Sequence, residues 1–383
     1  MSDLTRQDTP NTTALNLAVL ALMAIGIVMV FSTSASLDRP LLSDPAWRTP
    51  GVRQAIYVFL AVTVMAAASW LPYQWWRLGR SDQRSLSTAL AAVAVVCLTL
   101  TLIPGIGIER NGAKRWLGGF GLSFQPSELA KLAAVVFLAA YLTSGRPIHQ
   151  FWRGLMPLCA AVGLIVLLVG LEDFGTAALL VALAAGMLAV GGARIRHLLL
   201  LAVPTVAGMA AMVVFWPYRL ARLTSFLDIW ADPAGKGYHA IQSLVSFASG
   251  GLTGRGLGNG IQKHGYLPEA QSDFIFSVIG EELGLLGVIA VIGLFVVILW
   301  QGRKIVLAAT DPLGRLLAFG IIWLLGLQAV MNIAVVTVSV PTKGIALPLV
   351  SAGGSGLVLL GAAIGILLNV ARQSREPACP VAR

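Results

Sequence analysis

Ten apolar runs, each about as long as a lipid bilayer core is thick, dominate this 383-residue chain and restrict what it can fold into. A span needs about 20 mostly apolar residues as a helix. The candidates are roughly 14–35, 53–72, 86–106, 126–143, 154–171, 174–192, 197–216, 273–300, 314–337 and 355–371. With 57% hydrophobic and 11% charged residues, the chain lies far from a soluble domain. In hydrocarbon every backbone polar group must be satisfied within the segment, which favours helices. The expected fold is therefore all-α, a polytopic membrane helical bundle of about ten transmembrane helices. The first run is too long for a secretory signal and follows Asp3 and Asp8, so it reads as a retained anchor.

The expected organisation is an N-terminal tail over 1–13, a transmembrane domain over 14–371 and a tail over 372–383. Short basic turns set the orientation: Arg77, Arg80 and Arg84; Arg146 and Arg153; Arg194 and Arg196; Arg303, Lys304 and Arg315; Arg372 and Arg375. Positive residues concentrate in cytoplasmic turns, which puts both termini in the cytoplasm. The net charge of +10 thus reflects topology. No basic helix or basic-aromatic module stands outside the bilayer, so nucleic-acid binding is a poor reading. One excursion, 217–272, is long enough to be a functional extracytoplasmic loop. Within it 238–247 reads as helix. The glycine-rich 250–260 reads either as backbone laid close to a ligand or as a flexible turn after a re-entrant helix.

Cys97, Cys159 and Cys379 fit no metal site or disulfide framework, and the four histidines form no metal-binding pattern. Nucleotide-binding and nucleophile-elbow motifs are absent. What remains is scattered carboxylates and bases at the outer ends of helices. Asp273 opens the eighth run, and a carboxylate so placed is by default a functional-site hypothesis. It is equally a helix N-cap in Ser272-Asp273. Glu281 and Glu282 lie two turns further on and need partners from neighbouring helices. Glu128 and Lys131 are i,i+3 neighbours, either an ion pair or, with Lys114 and Arg115, contacts to an anionic headgroup. Asp173 reads as a cap. Arg219 and Arg222 are either interfacial anchors or a guanidinium fork on a diphosphate. Asn332, Lys343 and the small residues after Leu347 either permit close helix packing or line the same mouth.

Several runs together resemble the SEDS (shape, elongation, division and sporulation) family, the polytopic cell-wall polymerases of FtsW and RodA type. They are Asn111-Gly-Ala-Lys-Arg-Trp116, Gln125-Pro-Ser-Glu128 with Lys131, Arg222-Leu-Thr-Ser-Phe-Leu227, Gly256-Leu-Gly-Asn259, Tyr266-Leu-Pro-Glu269, Asp273-Phe-Ile-Phe276, Gly280-Glu-Glu-Leu-Gly284, and Pro341-Thr-Lys-Gly344 with Ser351 and Gly353-Gly-Ser355. They keep the family order over most of the chain, and Pro341-Thr-Lys-Gly344 is closer to the FtsW branch. Ala352, Gly356, His264-Gly265 and Gln271 depart from frequent family choices.

The resemblance implies a peptidoglycan glycosyltransferase in a bacterial cytoplasmic membrane. It would polymerise a lipid-linked disaccharide-pentapeptide (lipid II) at the outer face, during division or elongation. Asp273 matches the family's essential aspartate. Arg115, Glu128, Lys131, Arg222, Glu269 and Lys343 fall on matching positions and are the candidate substrate contacts. A divalent cation, Mg²⁺ or Mn²⁺, is implied, with no organic cofactor, and nothing in the sequence shows a preformed metal cage. A class B penicillin-binding protein, a transpeptidase, is the implied partner besides membrane lipid. The rival reading is a flippase of the same precursor, which should hold its polar site near the midplane on broken helices.

Overall fold

The computed structural model describes residues 10–34, 49–78, 85–110, 113–119 and 122–374. Arg80, Arg84, Arg375, Cys379, Asn111, Gly112 and most of both expected tails lie outside the described residues. Each expected span corresponds to a helix. These are α1 (Thr12–Ser34), α2 (Pro50–Trp70), α3 (Leu86–Leu102), α4 (Pro126–Leu142), α5 (Met156–Glu172), α6 (Phe174–Val190) and α7 (Ile195–Val214), then α10 (Ile275–Ala308), α11 (Pro312–Val336) and α12 (Gly354–Gln373). Between α7 and α10 lie α8 (Pro217–Leu227) and α9 (Tyr238–Gly250). Among the described residues seven helices are long and apolar enough to cross a membrane by themselves, with α5 counted together with its π-helical lead-in from Phe151. The remaining spans, α3, α4 and α6, are each 17 residues long.

Packing follows the residue pattern of each helix. From Leu132 to Leu142 α4 is apolar all round and buried throughout, the pattern of a central helix. It touches α3, α5, α6, α11 and α12, while α1 pairs with α10 and α2 with α12. By contrast α7 buries only His197 and leaves Leu199, Leu200, Val203 and Val206 facing outward. Such a face is at home against lipid tails.

A small antiparallel sheet adds to the helical expectation. Strands β1 (Gly107–Arg110), β2 (Ala113–Gly119) and β3 (Leu122–Phe124) pair in the order β1-β2-β3, between α3 and α4. Glu109 faces Lys114 and Leu117 faces Phe124 in register, which fixes the stretch that carries Arg115.

The excursion forms a backbone splice with α10. Gly284 breaks the helix at φ 66°, ψ −163°. The amides of Leu285 and Leu286 there donate to the carbonyls of Gly251 and Leu252 at 3.0 and 3.2 Å. In return the carbonyls of Glu281 and Glu282 accept from the amides of Arg255 and Gly256, both at 3.0 Å. A Cβ on Gly254 (φ 80°) would meet the Glu282 carbonyl oxygen at 2.1 Å, so only glycine allows this approach. Part of the backbone of the glycine-rich run, around 251–256, is thus laid against α10.

That splice also accounts for Glu281 and Glu282, both fully buried. Their partners come mainly from the excursion rather than from neighbouring helices, which corrects the sequence expectation. Glu281 accepts from the Ile261 amide at 2.9 Å and lies 4.0 Å from Arg255. Glu282 pairs with Lys263 at 2.7 Å and accepts from Ser32 of α1 and the Gly258 amide. After these carboxylates, 283–302 carries no charge. That run of about 20 residues, about 30 Å of helix, suffices to cross the hydrocarbon. The first turns of α10 therefore stand above it, with the excursion wrapped round them.

Candidate active site

Between the sheet, α4, α8, α9 and the segments preceding α10 and α12 lies an open cavity of about 1220 Å³. Its wall includes Asp273, Arg115, Glu128, Lys131, Arg222, Glu269 and Lys343, so all seven residues singled out from the sequence share one cavity. They come from five separate stretches of the chain.

Asp273 sits in the turn ahead of α10 and is held by its backbone. Asn332 Nδ2 donates to its carbonyl at 2.8 Å and to that of Ile345 at 2.7 Å. Ser351 Oγ donates to the Ser272 carbonyl at 2.6 Å, and the Ala352 amide donates to that of Gln271 at 2.9 Å. The stretch around Asn332, Lys343 and Ser351 thus cradles residues 271–273. A Cβ on Gly344 would reach an Asp273 carboxylate oxygen at 2.9 Å, so that loop closes tightly over the carboxylate.

The side chain of Asp273 makes no hydrogen bond or ion pair among the described residues. The helix N-cap is Phe274, with no side-chain cap, which overturns the Ser272-Asp273 capping reading. The carboxyl is instead enclosed by protein and open only to the cavity. Burial raises its pKa to about 7, helped by the negative charges of Glu269 and Asp173 and opposed by Arg115 and Arg222. Glu269 occupies a left-handed conformation (φ 55°) and accepts from Ser272 Oγ at 2.8 Å.

The cations divide into tied and open ones. Lys131, buried in α4, pairs with Glu128 at 2.8 Å and donates to Gln328 at 3.0 Å, the ion pair that the i,i+3 spacing allows. Arg115 donates to the Glu172 carbonyl at 3.0 Å and lies 3.4 Å from Asp173. Asp173 caps α6 through Thr176, as the sequence suggests. Arg219 is spent on structure: it donates to the carbonyls of Gly170 and Leu171 that end α5, and stacks near Trp216 and Phe174. Lys343 lies against the Phe174 ring face, 5.0 Å from its Nζ, and burial lowers its pKa against an opposite effect of Asp173. A smaller cavity of about 220 Å³ adjoins on the far side of Arg115, Arg222 and Lys343. The open wall is therefore cationic around one uncommitted carboxylate. A base beside positive charge suits transfer of a group from an anionic leaving group.

A fully protein-built metal site does not fit. Among the described residues no three His, Cys, Asp or Glu side chains are disposed to hold a metal ion.

Sequence reasoning missed His239, which lines the same cavity from α9 and stacks on Phe274. It also missed Lys263 and Arg255, whose partners are set by the splice.

The family model of FtsW, RodA and SpoVE, described as cell cycle protein, matches residues 13–376. Stage V sporulation protein E of Bacillus subtilis is 40% identical over 358 residues, covering 93% of this chain and 95% of its own length. A probable peptidoglycan glycosyltransferase FtsW of Nitrosococcus halophilus is 42% identical over 367 residues, covering 94% and 92%. Among solved structures, a chain from work on the structural coordination of polymerization and crosslinking by a peptidoglycan synthase complex superposes with a TM-score of 0.75. It is 30% identical and covers 95% of this chain and 98% of that one. The rod shape determining protein RodA of Thermus thermophilus gives a TM-score of 0.65 at 28% identity, covering 95% and 97%. With the helices, the motif order and these likenesses in agreement, the chain is a multi-pass membrane protein and belongs to the FtsW/RodA/SpoVE family, the SEDS proteins.

Proposed function

We propose that the chain is a peptidoglycan glycosyltransferase that polymerises lipid II into glycan strands at the outer face of a bacterial cytoplasmic membrane. The observation that carries this reading is the uncommitted Asp273 carboxylate in a cavity walled by Arg115, Arg222 and Lys343. The names of the FtsW relatives and of the synthase-complex neighbour support it. Asp273 takes the proton from the acceptor sugar's hydroxyl as that oxygen bonds to the donor's anomeric carbon. The anomeric carbon–oxygen bond breaks, and its electron pair leaves on the lipid diphosphate. Lys343, Arg222 and Arg115 stabilise the charge that develops there. Glu128 and Lys131 hold the floor as a pair, and Glu269 raises the basicity of Asp273. Mg²⁺ or Mn²⁺ belongs to this reading as a counter-ion of the substrate's diphosphate, since a hard cation is often held by substrate phosphates and few protein oxygens.

Its partner in this reading is a class B penicillin-binding protein transpeptidase. Purified protein, alone and with such a partner, should convert lipid II into glycan strands. Movement of lipid II across vesicles with no polymer in either case would favour the flippase instead. A polar cavity at the outer helix ends, rather than at the midplane, speaks against transport.

Both termini are proposed to be cytoplasmic. With the native cysteines replaced, Ala234→Cys should react with an impermeant thiol reagent from outside and Arg194→Cys should not. The reverse pattern would sink this orientation.

A further inference from the structure

His239 stands in the cavity, and among the described residues neither ring nitrogen has a hydrogen-bond partner. It lies in the first turn of α9, is half-buried, and stacks on Phe274 at 5.8 Å between ring centres and 17° between planes. Phe274 directly follows Asp273. The position is rigid: Ser243 of α9 bonds to Ser277 of α10 and to the Val336 carbonyl of α11. Nδ1 is buried with no partner. A proton there would be a buried donor without an acceptor, so the neutral ring keeps its proton on Nε2. Burial and the neighbouring Arg222 disfavour the charged ring, against a smaller opposite effect of Glu269. Several other hydrogen-bonding groups near Asp273 are already used. Asn332, Ser351 and Ser272 hold backbone or Glu269, and Lys131 and Arg115 hold carboxylates and carbonyls. A neutral donor matches a neutral oxygen better than it matches a diphosphate already faced by Arg115, Arg222 and Lys343.

We propose that His239 binds substrate, its Nε2–H donating to a hydroxyl or acetamido oxygen of the sugar held at Asp273. This rests on the glycosyltransferase reading above. Two variants separate binding from packing. His239→Phe keeps the ring stacked on Phe274 and removes the donor. His239→Gln loses the ring but presents an amide N–H at nearly the same reach. Affinity for lipid II in nanodiscs is measured in the Asp273→Asn background, where turnover is slowed by orders of magnitude, and steady-state kinetics are measured with Asp273 intact.

The expected result is a loss of affinity of about ten- to a hundred-fold in His239→Phe, as for a lost hydrogen bond that leaves a buried group unpaired. KM should rise more than kcat falls, and His239→Gln should stay within about threefold of the wild type. A polyprenyl diphosphate without sugars should bind wild type and His239→Phe alike. The proposal is overturned if His239→Phe binds like the wild type, if His239→Gln is as weak as His239→Phe, or if the sugar-free lipid shows the same penalty. Precursor binding by the wild type without polymerisation defeats the glycosyltransferase reading alone, and His239 is then judged on affinity. Absence of precursor binding by the wild type defeats both.

Discussion

Asp273→Asn should lower glycan polymerisation by about two to four orders of magnitude, the usual size of a lost general base, while the protein inserts and melts as the wild type does. The amide has nearly the same shape, and the fold asks nothing of the carboxylate. Its backbone is held by Asn332, its neighbour Ser272 by Ser351, and the N-cap position of α10 is Phe274. The pH dependence has a defined sign. The working base is the deprotonated form, and the carboxyl titrates near 7 because burial, then Glu269 and Asp173, disfavour its charge. Activity should therefore rise with pH through about 7 and be lost below it, and the Asn variant's residual activity should lack that limb. Stability runs the other way. Between the ordinary value of 3.8 and about 7 the folded state binds more protons than the unfolded one, so the charge opposes folding above that window. At pH 8 the Asn variant should be at least as heat-stable as the wild type. Polymerisation near the wild-type rate would remove Asp273 as base.

The spans and the membership of the site were legible in the sequence for different reasons. A bilayer imposes one length on every helix, so apolar run length alone locates α1 to α7 and α10 to α12. Six of the seven site residues stood out as polar groups near helix ends and Glu269 came from motif resemblance, while the cavity that joins them is a tertiary fact no spacing contains. Asp173 was readable because capping is local: Thr176 lies three positions further along the chain. Asp273 misled for the same reason, since a polar residue before an apolar run looks like a cap whether or not the backbone turns there. The small sheet escaped because its strands are 4, 7 and 3 residues long and are held by ladder bonds rather than by alternating hydrophobicity. Arg219 was open between a ligand and an anchor, and only the position of α5's last carbonyls decides it.

Lys263→Met should destabilise the protein by about 3–5 kcal/mol, the usual cost of stranding one member of a buried ion pair. The Lys263 side chain is 1% exposed and that of Glu282 is 0%. Lys263 also donates to Ser32 and to the Gly258 carbonyl, so it ties α1, α10 and the glycine-rich run at one point. Removing it leaves the Glu282 charge with Ser32 and one amide. Lys263→Met with Glu282→Gln removes both charges and keeps a group that can still meet Ser32, so it should recover part of the loss. Arg255→Met is the control: Arg255 is 37% exposed and lies 4.0 Å from Glu281, whose other contacts are backbone amides, so its loss should be small. Thermal unfolding in detergent would rank the three. A ranking with Arg255→Met at least as damaging as Lys263→Met would show that the splice does not depend on the buried pair. If the expected order holds, activity should fall along with stability although Lys263 is absent from the cavity wall. The excursion runs from α9 through the splice to residues 271–273 in one piece, so loosening it at Glu282 lets both His239 and Asp273 move.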